Sequence, residues 1–237
     1  MSGSLGPGES LTIDFTILVN NATIPYVASG GPIDDILVLE IRNGRHMFIS
    51  LSGYFLPSCF GVPIEVLSSY GGKGVRNISP STIKRESTGG GMPTELWRMT
   101  EYILTHGETC ETIFLERGDE RLCREIRECL DTAKDFDDKL LDGELGVLSM
   151  AETLLRFLDA LPKAVIPGEV YAQVMRISET ARSAMELVDV LPGPHANVLI
   201  FLMSFLRQMF EWKIFLQNPE AKRRIGMFLP TRLLIDF

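Results

Sequence analysis

Residues 149–165, SMAETLLRFLDALPKAV, carry the clearest helical pattern in the second half of the chain. Its apolar residues return every three or four positions, which is the spacing of one helix face; they are Ala151, Leu154, Leu155, Leu158 and Leu161. Ser149 and Glu152 have the spacing of a capping box, in which each side chain accepts a hydrogen bond from the other residue's amide. The stretch predicts an amphipathic helix that begins at Ser149.

Helical patterns continue on both sides of this stretch. Upstream, Leu96, Met99 and Ile103 mark one helix stripe, and Trp97 lies off that stripe. Downstream, Pro194 suits the first turn of a helix, and the residues from there to about 212 are apolar on nearly every side. We expect this last helix to be the central buried one, in an all-α domain that covers residues 93–237.

The first quarter of the chain has the composition of β-structure. Residues 11–19 alternate apolar and polar side chains, as a half-buried strand does. Two apolar runs, residues 36–41 and 46–51, flank Asn43-Gly44, a strong signal for a β-hairpin. Both faces of this hairpin are apolar, which predicts burial inside a two-sheet sandwich. Three or four strands are too few to bury both faces, so we expect a partial sandwich over residues 9–66.

The segment between these two regions, residues 67–92, is rich in glycine and serine and predicts a flexible linker. A partial sandwich exposes apolar strand edges, which favour aggregation. An alternative to a working two-part protein is therefore a chain that does not fold stably.

Charge and composition exclude several classes of protein. A net charge of -8 argues against broad nucleic-acid binding. The four cysteines form no CxxC pair and there are three histidines, so we expect no metal site. Cysteines scattered in this way are typical of reduced thiols in a cytoplasmic protein. The N-terminus has no signal-peptide pattern, and the longest apolar run, residues 198–206, is too short to span a bilayer.

Three segments of the helical region resemble RhoGAP domains. Residues 154–165, followed by residues 169–171, are similar to the family segment LLKLFLRELPEPL and its ELY. Residues 191–197 resemble the family's LP..NR segment, and residues 112–118 lie where the family reads GIFRxSG. The resemblance implies a RhoGAP-like helical domain over residues 93–237 that ends before the family's final helix.

A fourth segment, residues 53–61, resembles the end of the ASH domain of OCRL-type inositol polyphosphate 5-phosphatases. That domain is an immunoglobulin-like β-sandwich, and a RhoGAP-like domain follows it in those proteins. The resemblance implies a mixed, mainly α fold: the C-terminal part of an ASH sandwich, a linker, and the helical domain. No phosphatase motif is present in this chain, so the resemblance assigns no lipid hydrolysis to it.

The resemblance places Leu115 at the position of the family's catalytic arginine finger. That arginine enters a partner GTPase and stabilises the charge that develops on the phosphates during GTP hydrolysis. The lysine and arginine that support it fall on Leu155 and Asp159. The resemblance therefore implies a binding module without catalytic activity and without a cofactor. The alternative is an active GTPase-activating protein in which Arg117, two residues further on, is a displaced finger.

The resemblance also implies three kinds of partner: Rab GTPases on the ASH sandwich, Rho-family GTPases of the Rho, Rac and Cdc42 types on the GAP face, and adaptor peptides that carry Phe and His. For the GAP face we expect Glu116 and Arg117 to contact the GTPase. Trp97 matches the tryptophan of the family's peptide site, although an aromatic that packs at a helix edge explains it equally well. The implied setting is phosphoinositide and GTPase signalling in membrane trafficking, with recruitment from the cytoplasm to endosome and Golgi membranes through partners.

Overall fold

The computed structural model of the chain describes residues 6–10, 12, 14, 31–41, 44–69, 71–78, 91–170, 173, 189–217 and 223. The chain divides into two compact units, residues 1–55 and 56–237. The described elements are mainly helical, with a small antiparallel sheet in the first unit. The predicted mainly α fold class, with β-structure before the helices, is confirmed. None of the described helices is long and apolar enough to cross a bilayer.

The first unit contains the predicted β-hairpin. Strand β1 (Ile33–Leu39) pairs antiparallel with β2 (Met47–Gly53), and residues 40–46 connect them in place of a two-residue turn. The apolar side chains of the hairpin are largely exposed, Phe48 to 70%. The sequence predicts burial on both faces, but no second sheet covers this ribbon within the described residues. The strand predicted over residues 11–19 lies outside the described part, apart from residues 12 and 14.

The second unit is helical. Its described α-helices with full bounds are α1 (Ile64–Leu67), α2 (Thr94–His106), α3 (Glu120–Thr132), α4 (Glu144–Asp159), α5 (Gly193–Phe210) and α6 (Lys213–Gln217). Helix α4 packs against both α2 and α3, and α5 contacts α1 and α2. The apolar stripes predicted from the sequence form the core between these helices, for example Met99, Leu154 and Phe205. Each such side chain stabilises the fold by about 1.5–3 kcal/mol when it leaves water.

Helix α5 begins as predicted, with Pro194 in its first turn. It is buried on one side only, however. Leu202 and Phe205 are almost fully buried, whereas Ile200 and Met203 are about half exposed. When a helix is apolar on every side, its sequence does not show which face its neighbours cover. The prediction that α5 is buried on all sides is therefore wrong for the face that bears Ile200 and Met203.

The predicted flexible linker, residues 67–92, is wrong for its described first part. Leu67 and Val75 are each 1% exposed, and a short 3-10 helix (Val75–Asn77) packs against α3. Gly74 has a φ of 72°, and a Cβ on it would lie 2.7 Å from the Ala133 amide nitrogen. This glycine therefore permits a close approach of two backbones, and it does not mark flexibility. Residues 79–90 lie outside the described part.

Candidate functional site

The loop that enters α3, residues 112–119, contains a strained residue at its centre. Phe114 has a φ of 63°, a left-handed conformation that is uncommon for residues other than glycine. Its ring is buried and meets the ring of Phe205 edge-on, with centroids 6.4 Å apart. The amides of Leu115 and Glu116 both donate to the Thr112 carbonyl oxygen, at 2.8 and 3.0 Å. Burial of the Phe114 ring thus stabilises the tight turn of residues 112–116, which contains Leu115.

The exit of the 112–119 loop is tied to the middle of α4. The Gly118 amide donates to Glu152 Oε2 at 2.7 Å, and the Asp119 amide donates to Ser149 Oγ at 2.9 Å. A Cβ on Gly118 would lie 2.7 Å from the Ser149 amide nitrogen and nearer still to its Cα. Only glycine therefore lets the loop lie this close to the helix.

This contact corrects the capping box predicted at Ser149 and Glu152. Helix α4 begins at Glu144, so both residues lie inside it. Their side chains accept hydrogen bonds from the amides of Gly118 and Asp119, distant in sequence, and not from each other's amides. Asp119 is itself the N-cap of α3 and accepts from the amides of Arg121 and Leu122. The prediction of a capping box and of a helix start at Ser149 is therefore wrong, because the partners of these side chains belong to a segment distant in sequence.

The three side chains predicted for function on this loop have different environments. Leu115 is partly buried and packs against the core. Glu116 and Arg117 are exposed. Within the described part of the chain, the Arg117 guanidinium forms no ion pair. The turn thus places Leu115, which the resemblance assigns to the finger position, against the core, and leaves two charged side chains toward solvent.

A second arginine, Arg156 near the end of α4, is linked to the same loop and was missed by sequence reasoning. Its guanidinium donates to both Glu120 oxygens, at 3.0 and 2.7 Å, and to Glu152 Oε1 at 2.6 Å. These hydrogen bonds raise the pKa of Arg156 and lower the pKa of Glu120. Glu120 lies 36 residues away in sequence, which is why no local pattern indicated the pair.

The other positions that the resemblance assigned to catalysis hold no cation. Leu155 is partly buried and packs against the core, and Asp159 is an exposed acid.

Trp97 lies on α2, on the face opposite to the one that packs in the core. Leu96, Met99 and Ile103 of the same helix are almost completely buried, whereas Trp97 is 44% exposed. Next to it, Arg98 donates to the carbonyl oxygens of Cys129 and Lys134 and stacks over the Phe136 ring. Trp97 therefore presents an aromatic surface to solvent beside a cation that is already engaged.

Burial raises the pKa of all four thiols in the chain. Burial, together with the charge of Glu144, raises the pKa of Cys110 to about 11. Burial and the charge of Asp131 raise the pKa of Cys59 as well. Both thiols therefore stay protonated near neutral pH. In the described ranges, His, Cys, Asp and Glu side chains form no group of three or more that would hold a metal ion.

Comparison with known proteins matches both parts of the chain. The model of the RhoGAP domain family matches residues 93–212. The model of the ASH domain of OCRL-like inositol polyphosphate 5-phosphatases matches residues 1–55. The crystal structure of human Rho GTPase activating protein 15 is 15% identical, with a TM-score of 0.48 over 60% of this chain and 69% of that chain.

Two mouse proteins show similarity in sequence. Type II inositol 1,4,5-trisphosphate 5-phosphatase is 32% identical in an alignment 224 residues long, and the match covers 88% of this chain and 22% of that protein. Rho GTPase-activating protein 25 is 28% identical in an alignment 127 residues long, and the match covers 50% of this chain and 19% of that protein. The chain spans about a fifth of the length of these relatives. It belongs to the RhoGAP domain family, with an OCRL-like ASH segment in front of that domain.

Proposed function

We propose that this protein is a non-catalytic RhoGAP-like module that binds small GTPases of the Rho, Rac and Cdc42 types through the 112–119 loop. The proposal rests on the side chain at the finger position, which is the partly buried hydrocarbon of Leu115. A GTPase-activating protein needs a guanidinium there, because the transition state concentrates negative charge between the β- and γ-phosphates. A leucine offers no hydrogen bond and no charge to that site.

The neighbouring arginine does not replace the missing one. Arg156 has its guanidinium bound to Glu120 and Glu152, so its donors on that side are occupied and its charge is neutralised. To reach a nucleotide it would first have to leave a bidentate carboxylate pair, which is among the stronger hydrogen-bonded arrangements. The positions of the supporting cations are occupied by Leu155 and Asp159, so a moved arginine would lack support.

The loop still has the features of a binding surface. Glu116 and Arg117 are exposed on a turn that is ordered on both sides. An ordered loop loses less conformational entropy when it binds, which favours affinity. Two opposite charges side by side also suit recognition of a polar switch surface, where electrostatic complementarity contributes to specificity.

The second candidate function is GTPase activation by Arg117. It is favoured by the exposure of this side chain and by the lack of an ion pair to it within the described ranges. It is disfavoured by its position two residues past the finger, since catalysis falls steeply when a group is misplaced by about 1 Å.

A single-turnover hydrolysis assay with GTP-loaded Rho-type GTPases separates the two functions. We expect no stimulation above the intrinsic rate for the wild type or for Arg117→Ala. Stimulation that disappears in Arg117→Ala but persists in Arg121→Ala, which removes an exposed arginine from α3, would establish activation. Binding measured in parallel should weaken in Glu116→Ala and Arg117→Ala.

We propose in addition that Trp97 anchors adaptor peptides that carry Phe and His. An exposed tryptophan next to a fixed helix surface is a common hot-spot type, because its ring gives a large contact area and its indole N–H can donate. Peptide affinity should fall at least tenfold in Trp97→Ala. Leu145→Ala is the control, since Leu145 is equally exposed on α4. Equal losses in both variants would contradict a specific site at Trp97.

The ASH segment supports a proposal about cellular setting. The match of residues 1–55 and the identity to a mouse inositol 5-phosphatase support a role in phosphoinositide and GTPase signalling, as part of an OCRL-like 5-phosphatase. We propose that Rab GTPases bind the ASH part, and that these partners recruit the protein from the cytoplasm to endosome and Golgi membranes. A tagged chain that stays diffuse in cells that contain the active Rab would contradict this.

A further inference from the structure

We infer that Glu152 and Arg156 are positioning residues, which hold the 112–119 loop so that residues 115–117 meet the GTPase in one geometry. The inference rests on the proposed function, because it assumes that this loop is the GTPase-binding surface. Neither residue is among those that the resemblance assigns to the site. They are distinguished by what they connect in the folded chain.

Glu152 divides its two carboxylate oxygens between the loop and Arg156. Oε2 accepts from the Gly118 amide at 2.7 Å. Oε1 accepts from Arg156 Nη2 at 2.6 Å and from Arg156 Nε at 3.1 Å. The side chain is 16% exposed, so it is well shielded from water. The Arg156 guanidinium thereby fixes the orientation of the Glu152 carboxylate, and this carboxylate holds the loop backbone.

Arg156 continues this connection to the helix that follows the loop. It forms two parallel hydrogen bonds with Glu120, in the first turn of α3. The planar guanidinium is suited to hold two carboxylates in one plane. As a result, α4, the loop exit and the start of α3 are joined by three side chains. Ser149 adds a second anchor, since its hydroxyl accepts from the Asp119 amide and donates to the Leu145 carbonyl oxygen.

Both ends of the turn are therefore fixed, and Glu116 and Arg117 between them face solvent, whereas Leu115 packs against the core. The entrance is fixed by the buried Phe114 ring and the Thr112 carbonyl, the exit by Gly118 and Asp119. Leu115, Glu116 and Arg117 are the only residues between these anchors. A partner that binds this turn does not have to order it first, and loosening the exit would restore that entropic cost.

The same geometry separates loop order from overall stability. Arg156 and Glu120 are substantially exposed, with side-chain exposures of 42% and 65%. Exposed ion pairs contribute little to the stability of a whole domain. Removal of Arg156 should therefore leave the melting temperature almost unchanged while it loosens the loop. A purely structural role for Arg156 would not change GTPase affinity at constant stability.

The experiment uses the full chain and measures three quantities: the melting temperature, hydrogen exchange of residues 115–119, and affinity for the GTP-loaded Rho-type GTPase that binds the wild type best. We expect Arg156→Ala to exchange faster in the loop and to bind about 3- to 10-fold more weakly. Glu152→Gln keeps an acceptor oxygen for the Gly118 amide but loses the charge that holds Arg156, so it should resemble Arg156→Ala. Arg207→Ala, which removes an exposed arginine paired with Glu211 on α5, should bind within twofold of the wild type.

The results distinguish failure of this inference from failure of the proposed function. Unchanged affinity in both Arg156→Ala and Glu152→Gln, with a wild type that binds, overturns the positioning role and leaves GTPase binding intact. Equal weakening in Arg207→Ala also overturns it, because a general charge effect would then explain the loss. A wild type that binds no Rho-type GTPase overturns the proposed function, and the inference with it.

Discussion

Asp131 is the charged residue on which the packing of residues 56–78 depends. It is fully buried on α3 and accepts hydrogen bonds from Ser58 Oγ at 3.1 Å and from the Cys59 amide at 2.7 Å. Arg76 forms a salt bridge with its Oδ2 at 3.4 Å, and Arg127 Nε lies 3.9 Å from the same oxygen. A buried carboxylate of this kind costs desolvation energy, which its partners must offset.

We predict that Asp131→Ala destabilises the protein by about 2–3 kcal/mol, because it leaves a buried amide and hydroxyl without an acceptor and separates Arg76 from its partner. Urea unfolding measures the change. Asp135→Ala, at an exposed position just past α3, should change the free energy of unfolding by less than about 0.5 kcal/mol. A loss below about 1 kcal/mol for Asp131→Ala would show that water replaces these bonds.

Glu95 gives the stability of the protein a dependence on pH. It is buried in the first turn of α2, and its Oε2 has no hydrogen-bond partner within the described part of the chain. Burial raises its pKa above the ordinary value of 4.5, and the charge of Asp131 adds to this, against a backbone hydrogen bond and Arg98, which lower it. The folded protein therefore retains a proton that the unfolded chain releases.

The sign of this effect follows from proton binding. Between pH 4.5 and the raised pKa the folded state binds more protons than the unfolded state, so stability falls as the pH rises. Glu95→Gln, which cannot ionise, should be more stable than the wild type at pH 7, by about 1 kcal/mol, and the difference should vanish below pH 4.5. Chemical unfolding at several pH values measures this. Glu101→Gln, exposed on the same helix, should show no such trend.

At the scale of elements, the contact between the 112–119 loop and α4 depends on one glycine. Gly118 lies so close to the backbone of Ser149 that a methyl group would overlap it. Backbone atoms of a helix cannot move aside as a flexible side chain can. The loop would have to shift away from α4, and the hydrogen bonds from Gly118 and Asp119 would lengthen or break.

We predict that Gly118→Ala destabilises the protein by about 2 kcal/mol and increases hydrogen exchange at residues 115–119. Gly168→Ala is a suitable control, because a Cβ there has no neighbour within 4 Å. It should leave both measurements unchanged. If the two variants behave alike, the close approach of loop and helix is not rigid in solution.

At the scale of the whole molecule, the helical unit begins well before the segment that the RhoGAP family model matches. The match starts at residue 93, whereas the compact unit starts at residue 56. The earlier residues contribute buried apolar side chains to the same core, namely Cys59, Ile64, Leu67 and Val75. At about 1.5–3 kcal/mol for each large side chain, their burial is comparable to the 5–15 kcal/mol that stabilises a typical domain.

We therefore predict that a chain of residues 56–237 unfolds in one cooperative transition, and that a chain of residues 91–237 does not. Circular dichroism during heating distinguishes the two. Cooperative unfolding of the shorter chain would show that residues 56–78 are dispensable for the core. The same measurement on the full chain tests the alternative that the exposed hairpin prevents stable folding.

The parts of the fold that could be predicted are those governed by local pattern. The stripes of α2 and α4, the start of α5 and the hairpin have the periodicity or turn residues that define each element. The parts that could not be predicted involve residues far apart in sequence. The pairs Gly118–Glu152 and Arg156–Glu120 are separated by 34 and 36 residues, and no periodicity within either segment records them.

From residue order alone one can read β-structure before a RhoGAP-like helical domain, and a resemblance that assigns Leu115 to the finger position. Both follow from residue identity and short-range spacing, which are fully present in the unfolded chain. Three features become visible only in the folded chain: a glycine-rich segment packs as part of the core, Ser149 and Glu152 hold a distant loop, and two carboxylates bind Arg156. The physical reason is that hydrogen bonds and close packing act between atoms that meet only when the chain has folded.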